Sequence, residues 1–419
     1  MTDVPNDLTH PDYFPQRSDL LTGNVELDQI TLEEHEDAPS RSILKGLLSQ
    51  VSIGSDLSKI TLPTFILEPR SFLEKLGDFF AHPQLLVEAA KLEGVERLVA
   101  VTKWFISGFH VRPLGVKKPY NPMLGEFFHC SWPEFHSELL CEQVCHHPPV
   151  SAFVYSCETE NVNIEYQGSI LFKSKFSGNS ASVISDGTCT LTFTNKTTGE
   201  KDEWFITYPR TYVKGVFIGT THMQMGDECE IFSKQLGLQC NIEFKQKGIF
   251  FGQMDGVRAR ISTYTPKIKR GVETDERETQ EKLFEVTGTW STELSIKDAE
   301  TKEEMPFFHV TEPYHEKTVI PARKMNPFES RRFWRHVTYA LHHDDQEKAT
   351  EEKTKLENNQ RAYRAYRNEN DVKHVNMFFD LVDEENHKWY WNGKTIRDID
   401  RTENFQVNHP VDDEYIVYE

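Results

Sequence analysis

The chain has 419 residues and a formal charge of −19, which disfavours generic nucleic-acid binding because that function needs a basic surface. No run approaches the roughly 18 apolar residues of a membrane span, and the N-terminus lacks the basic-then-apolar layout of a signal peptide. The seven cysteines are odd in number and lack paired spacing, so we expect reduced thiols in a cytosolic protein.

The first part of the chain predicts a tail followed by one amphipathic helix. Residues 1–38 are polar and acidic, which is typical of a disordered tail. Residues 40–51 then place Ile43, Leu47 and Val51 on one helical face. That helix either packs on its own core or acts as a movable lid that touches membranes.

Short alternating runs of apolar and polar residues recur from residue 109 to residue 310, among them 163–166, 169–176 and 285–290. More than ten such runs, separated by turn signals such as Ser185-Asp186-Gly187, predict a large antiparallel sheet. Closing that sheet into a near-complete β-barrel would remove its exposed edges. A barrel of that size would enclose a cavity.

The last part predicts two helices, at 329–341 and 345–367, and a tail that covers the barrel. The predicted fold class is therefore mainly β with added helices. Its segments are an acidic tail (1–38), a lid and first extended segment (39–68), a helical segment (69–108), the barrel (109–310) and a C-terminal helical subdomain and tail (311–419). Residues 39–419 are expected to form one domain.

The tail also contains Met377-Phe378-Phe379-Asp380. This run is similar to a short motif that binds endoplasmic-reticulum receptor proteins, although its first position is Met rather than an acid. Aromatic residues in pairs also suit a packed strand. Strand packing is the favoured interpretation.

The most informative motif is Glu142-Gln143-Val144-Cys145-His146-His147-Pro148-Pro149. Pro148 biases His147 toward an extended conformation and cannot donate to a sheet, so the histidine pair ends a strand or enters a loop. A bend there can bring both imidazoles over one anion.

Two other interpretations of this motif are open on the residues alone. Cys141, Cys145 and the histidines are capable zinc ligands, and Cys145 beside His146 is a possible thiol nucleophile. Structural zinc sites usually use two separated ligand pairs, and the sequence has no second Cys-x-x-Cys. The thiol has no recognisable acid or oxyanion partner. We therefore expect no metal, no cofactor and no catalytic residue.

Separated motifs, taken together, resemble the oxysterol-binding-protein-related family. The double-histidine motif resembles its signature, with Cys145 where Ser usually stands. Lys118-Pro119-Tyr120-Asn121-Pro122-Met123-Leu124-Gly125-Glu126 matches the family's Lys-Pro-x-Asn-Pro-x-Leu-Gly-Glu loop. Lys353, Glu357 and Arg361 drift only about 80° around a helix axis, so they share a face. Over roughly residues 40 to 400, the chain resembles a short member that consists of the lipid-binding domain.

The resemblance implies a site for the headgroup of phosphatidylinositol 4-phosphate. A phosphate monoester carries about −1.5 to −2 charges and needs several charge-assisted donors. Glu357 can orient the neighbouring cations or accept from an inositol hydroxyl. The implied site residues are Lys118, Asn121, His146, His147, Lys353, Glu357 and Arg361.

Residues 62–68 resemble the branch of the family that exchanges phosphatidylserine, rather than sterol, for that lipid. Leu62, Thr64 and Ile66 alternate and would share one strand face toward the cavity. Ser174 alternates with Phe172 and Phe176 and is a candidate polar contact. The implied phosphatidylserine contacts are Leu62, Thr64, Ile66, Lys118, Asn121, His146, His147 and Ser174.

The expected function is non-vesicular lipid transfer, in which phosphatidylserine and phosphatidylinositol 4-phosphate occupy one tunnel in turn. Residues 40–51 and 56–60 would close over the lipid as a lid, and no bond would be made or broken. The alternatives are a sterol exchanger or sterol sensor of the same fold, a lipid hydrolase and a non-transporting scaffold. We expect a cytoplasmic monomer that touches membranes transiently where endoplasmic reticulum and plasma membrane meet.

Overall fold

The computed structural model describes residues 53–55, 64–111, 117–215, 221–247, 254–269 and 272–399. The predicted tail at 1–38, the lid residues 40–51 and 56–60, and Leu62 lie outside the described residues. Within the described ranges, no helix is both long and apolar enough to cross a membrane.

Strands dominate the described part of the chain. They are β1 (Leu67–Ser71), β2 (Lys118–Tyr120), β3 (Phe127–Trp132), β4 (Ser137–Cys145), β5 (Val150–Glu158), β6 (Val162–Phe176), β7 (Ser180–Asp186), β8 (Cys189–Asn195), β9 (Lys201–Ile206), β10 (Arg210–Lys214), β11 (His222–Ser233), β12 (Leu238–Lys245), β13 (Gly256–Lys269), β14 (Val272–Thr289), β15 (Glu293–Asp298), β16 (Glu304–His309), β17 (Phe379–Asp383) and β18 (Lys388–Trp391). The α-helices are α1 (Phe72–Leu76), α2 (Pro83–Ala89), α3 (Gly94–Ser107), α4 (Ser330–Phe333), α5 (Arg335–His342) and α6 (Gln346–Asn370).

The predicted large antiparallel sheet is confirmed, because β3 to β16 form one sheet of 14 strands. Strand β6 pairs with β8 along its first half and with β7 along its second half. Strand β7 pairs with β10, β10 with β11, β11 with β9, and β9 with β8. These six strands therefore close into a ring. Bridges from residues Thr318 and Glu329 cover the outer edge of β3.

The sheet differs from the prediction in at least four places, one of which is β16, a strand that was not predicted. The predicted runs at 163–166 and 169–176 belong to one strand, β6. Strand β11 was missed because Gln224 and Gly226 interrupt its apolar alternation. The part of β14 before residue 285 was also missed, because its charged residues are mostly exposed in a two-stranded ribbon with β13. Solvated strands lack the alternation by which sequence analysis recognises a strand.

Helices α1 to α3 pack against the inner face of the sheet. Trp104 and Phe105 of α3 are fully buried, and Trp104 makes an edge-to-face contact with Tyr166 of β6 at 5.3 Å between ring centroids. Phe80 stacks on Tyr155 of β5 at 4.5 Å. Aromatic side chains thus fill part of the interior with solid core. The predicted lipid cavity remains a prediction.

The C-terminal hairpin packs on β5 and β6, whereas helices α4 and α5 pack on β1 and α6 packs on α5. The predicted helix at 329–341 is two helices, α4 and α5, which meet at Trp334, and the helix predicted at 345–367 is α6. Phe378 and Phe379 at the start of the β17–β18 hairpin are buried in a cluster with Phe127. Strand packing of this aromatic pair is therefore confirmed, and both rings are inaccessible to a receptor.

Candidate anion-binding site

The two histidines occupy the turn that joins β4 to β5, as the proline pair predicts. The ring centroids of His146 and His147 lie 4.6 Å apart, with an interplanar angle of 71°. His146 is half-buried and His147 is exposed. The turn therefore brings two imidazoles together at the rim of the sheet.

The second part of the site is the loop that begins at Lys118. Lys118 starts β2, which pairs in parallel with β1, and Asn121 follows β2 on the exposed side. Nδ1 of His146 lies 3.2 Å from the carbonyl oxygen of Pro122. Because a carbonyl only accepts, this nitrogen donates, and Nε2 of neutral His146 is left as an acceptor. This bond joins the loop to the histidine turn.

A buried carboxylate holds that loop in place. Glu126 accepts hydrogen bonds from the hydroxyls of Ser71 and Ser330, from the indole N–H of Trp334 at 2.8 Å and from the backbone N–H of Met123 at 3.0 Å. Burial raises the pKa of Glu126, and its hydrogen bonds lower the pKa by a smaller amount. One side chain thus connects β1, the loop and the C-terminal helices, which supports the positions of Lys118 and Asn121.

Helix α6 supplies the third part. Lys353 donates to Glu357 at 2.5 Å. Solvent reaches the side chain of Lys118, yet desolvation lowers its pKa, and Lys353 lowers it further while Glu357 raises it. Two ammonium groups from distant parts of the sequence therefore repel each other across the site, and one carboxylate partly compensates.

The arginine that acts electrostatically on the histidines is Arg364, which the sequence analysis missed. Arg364 lowers the pKa of both His146 and His147. The side chain of Arg361 is 68% exposed, and lies 3.6 Å from Glu357. At 100° per residue, Arg364 is about 20° from Lys353 around the helix and Arg361 about 80°. The family spacing pointed to Arg361, whose contact with a headgroup remains a prediction.

Burial and neighbouring charges keep the histidines neutral. The pKa of His146 is lowered to about 4, first by burial and then by His147 and Arg364, against the Pro122 carbonyl and Glu357. Burial and Arg364 lower the pKa of His147. This excess of positive potential disfavours further protons, and a bound anion would reverse the effect.

The predicted strand face at Leu62, Thr64 and Ile66 is wrong where the structure describes it. Thr64–Ile66 forms a 3-10 helix, and β1 begins only at Leu67. The Thr64 hydroxyl lies 2.9 Å from the Gln346 amide oxygen and 3.1 Å from the Thr350 hydroxyl. Thr64 therefore packs on the start of α6. Contacts of these residues with phosphatidylserine remain predictions.

Ser174 lies on β6 opposite Val183. The predicted alternation is confirmed, because Phe172 and Ser174 are half-buried and Phe176 is buried, whereas Lys173 and Lys175 are exposed. Phe172 donates its N–H to the carbonyl of Pro149 at 3.0 Å, and residues 54 and 55 pair with Phe176. Ser174 thus lies between the histidine turn and residues 53–55.

The thiols of the motif have environments that suit neither zinc nor nucleophilic chemistry. Cys141 is fully buried, and burial raises its pKa well above the ordinary range. Burial also raises the pKa of Cys145. Zinc binding and nucleophilic attack both require a thiolate, which these surroundings disfavour.

The fold and site define a β-rich domain with a cluster of cationic side chains and histidines at the rim of its sheet. The family described as "Oxysterol-binding protein" matches residues 46–400, so the chain belongs to the oxysterol-binding protein family. It is 38% identical over 345 residues to oxysterol-binding protein-related protein 5 of Mus musculus. The alignment covers 80% of the chain and 37% of the mouse protein, so the chain spans little more than a third of that relative's length.

Two solved structures share the fold. The Osh1 ORD domain in complex with cholesterol superimposes with a TM-score of 0.67 and 24% identity, covering 85% of this chain and 88% of that one. The Osh3 ORD in complex with PI(4)P from Saccharomyces cerevisiae gives a TM-score of 0.61 and 25% identity, covering 83% of this chain and 89% of that one. The matched residues are therefore the lipid-binding domain of the family.

Proposed function

We propose that this chain binds phosphatidylinositol 4-phosphate and exchanges it for phosphatidylserine between membranes. The observation that carries the proposal is a linked group of cations beside the histidine turn, which His146 joins by its hydrogen bond to the Pro122 carbonyl of the Lys118 loop. Lys353 donates to Glu357, Glu357 acts on both Lys118 and His146, and Arg364 acts on both histidines. A site with this much unbalanced positive potential is suited to an anion. The complex of the related Osh3 ORD with PI(4)P supports a phosphoinositide as that anion.

The chemistry of the site favours a phosphate monoester. Its oxygens can accept from Lys118, Lys353 and Arg364, and both histidines become additional donors once the anion raises their pKa. The acyl chains would add apolar burial of about 0.8 kcal/mol for each CH₂ removed from water. Headgroup and chains together would account for extraction of a whole lipid.

The choice of phosphatidylserine as counter-lipid rests on the family resemblance of residues 62–68. Its phosphodiester and carboxylate would use the cations that hold the phosphoinositide, so the two lipids would bind in turn. Ser174 is the proposed polar contact for the serine headgroup. The proposed carrier is a cytoplasmic monomer that touches endoplasmic-reticulum and plasma membranes peripherally and makes or breaks no bond.

A sterol is the second candidate counter-lipid. The Osh1 ORD, which has the same fold, was solved in complex with cholesterol and also with ergosterol. A sterol would fill the same interior without using the cationic rim. Exchange of sterol for phosphatidylinositol 4-phosphate is therefore the alternative function, and the identity of the bound lipid must distinguish it from exchange of phosphatidylserine.

Two measurements test the proposal. Native mass spectrometry of the purified protein identifies the lipid that copurifies, and a vesicle assay with labelled lipids measures exchange. We expect phosphatidylserine or the phosphoinositide in the spectra, and His146→Ala/His147→Ala should weaken phosphoinositide extraction by more than roughly tenfold. The matched control is His309→Ala, at an exposed histidine on β16.

Other outcomes would select an alternative function. A bound sterol would favour the sterol exchanger, and accumulation of lipid breakdown products would favour a hydrolase. Unchanged phosphoinositide extraction by His146→Ala/His147→Ala would overturn the proposed site.

A further inference from the structure

The C-terminal end of α6 and the residues that follow it leave three apolar side chains in water. Val375 is 69% exposed, Tyr366 38% and Val372 37%. Single exposed apolar residues are common on protein surfaces, whereas a group of them at one place marks an interaction surface. These three side chains form such a group because the chain folds back at the end of the helix.

The fold-back is set by backbone hydrogen bonds. Asp371 has a φ of +53°, and the backbone N–H groups of Asp371 and Val372 both donate to the carbonyl of Arg367. These are the bonds of a Schellman-type helix end, in which the residue at the Val372 position approaches the side chain at the Tyr366 position. Tyr366 and Val372 therefore lie on one side of the helix end, and Val375 follows three residues later.

The same stretch of chain is locally basic. Residues 361–375 contain four arginine or lysine residues and two acidic residues, in a chain whose formal charge is −19. Arg364 and Lys373 are exposed and Arg367 is half-buried. None of these three cations forms an ion pair with a carboxylate in the part of the chain that the structure describes. The end of α6 is thus complementary in charge to an anionic surface.

This end of the helix borders the candidate anion site. His374 immediately precedes Val375, and a Cβ atom at Gly125 would lie 3.0 Å from Cε1 of His374. Gly125 lies in the loop after β2 and has a φ of +80°, so both the conformation and the close approach favour glycine there. Arg364 acts on both histidines of the site. A surface bound to the end of α6 would therefore lie beside the anion site.

We propose that the end of α6 docks the protein on an anionic lipid membrane. The docking surface consists of Tyr366, Arg367, Val372, Lys373 and Val375. Its apolar side chains would enter the headgroup region while its cations meet lipid phosphates. A stable protein partner would need a larger apolar centre than three side chains offer. The inference rests on the proposed function and names the surface by which the carrier would touch membranes.

The first test measures docking with vesicles that contain neither of the exchanged lipids. The protein should float with vesicles of phosphatidylcholine and phosphatidylglycerol, and salt should weaken this binding because it screens the cations. The fluorescence that Val375→Trp adds should shift to the blue on these vesicles and be quenched by lipids with brominated acyl chains. The matched control is Val382→Trp, because Val382 is 53% exposed on β17 beside the acidic residues Asp380 and Asp383.

The second test removes one contact at a time. Val375→Asp should weaken binding to the phosphatidylglycerol vesicles roughly tenfold, and Lys373→Gln should weaken it about fivefold. Val382→Asp should change nothing. All three side chains are exposed, so melting temperatures should agree within the series.

The outcomes separate the docking surface from the proposed function. Equal losses in Val375→Asp and Val382→Asp, or no quenching in Val375→Trp, would overturn the docking surface. Loss of a protein partner by Val375→Asp with unchanged flotation would assign the surface to that partner and also overturn the proposal. The proposed function would survive these results if the unaltered protein still extracts phosphatidylinositol 4-phosphate. Failure of that extraction with normal flotation would overturn the proposed function and leave the docking surface intact.

Discussion

His146 donates through Nδ1 to the carbonyl of Pro122 at 3.2 Å, and this bond connects two motifs that are separated by 24 residues in sequence. It orients one imidazole of the pair, so that the other ring nitrogen is presented as an acceptor until a bound anion raises the pKa and the ring takes up a proton. The loop itself is held by Glu126. The proposed phosphate site is thus positioned by hydrogen bonds in the unliganded protein, which would reduce the ordering that binding requires.

Arg364 is expected to matter more than Arg361 for the histidines. Arg364→Ala should raise the pKa of both His146 and His147, because Arg364 lowers both in the native protein. Phosphoinositide extraction should weaken roughly tenfold. An NMR titration of the imidazole resonances measures the pKa changes of His146 and His147, with Arg361→Ala as the matched control. Equal shifts in both variants would contradict the assignment of Arg364.

Binding of a phosphate monoester should take up protons. The pKa of His146 is about 4 in the free protein, and an adjacent anion raises it. The affinity for the phosphate monoester should therefore increase as the pH falls through the pKa that His146 has in the complex. This increase should end near pH 4, where His146 of the free protein is also protonated. Calorimetry at pH 6 in buffers of different ionisation enthalpy counts the protons. His146→Gln should take up fewer protons, and an equal number for both proteins would contradict the model of a neutral clamp, because the phosphate's own second ionisation near pH 6 contributes to both.

Loss of the Glu126 carboxylate should destabilise the whole rim. Glu126→Ala leaves the donors of Ser71, Ser330, Trp334 and Met123 without their acceptor, which should lower the free energy of unfolding by about 2–4 kcal/mol. Glu126→Gln should lower the free energy of unfolding by less, because its amide oxygen still accepts a hydrogen bond, although its NH₂ group faces other donors. Chemical denaturation measures both. An unfolding free energy within about 0.5 kcal/mol of the unaltered protein for Glu126→Ala would rule out this role.

Glu142 should make stability depend on pH near neutrality. Its buried carboxylate accepts from the backbone N–H groups of Met377 at 2.7 Å and Phe378 at 2.9 Å, and burial raises its pKa from 4.5 to about 7. The pKa of Glu142 in the folded protein lies above its pKa in the unfolded chain. Its contribution to the free energy of unfolding is therefore fully present below pH 4.5 and is lost as the pH rises through 7. Melting temperatures between pH 5 and pH 8 should fall more steeply for the native protein than for Glu142→Gln. Parallel curves would mean that Glu142 does not titrate in this range.

Local patterns were sufficient to predict much of the fold. The alternation of apolar residues and the turn signals predicted the antiparallel sheet, because strands with one buried face have a two-residue period. The prolines after the double histidine predicted the end of β4, since proline cannot donate to a sheet. Charged strands such as the part of β14 before residue 285 were not predicted, because their residues face water and lack that period.

The sequence by itself determined the family, the sheet and most of the residues assembled at the rim, because each of these depends on residue types at fixed spacing. Only the tertiary structure decided which way α6 is turned, so that Arg364 rather than Arg361 acts on the histidines. It also decided that Thr64 packs on α6 and that His374 lies against Gly125. These facts depend on how elements far apart in sequence pack together, and packing between distant elements leaves no period in the sequence from which it could be predicted.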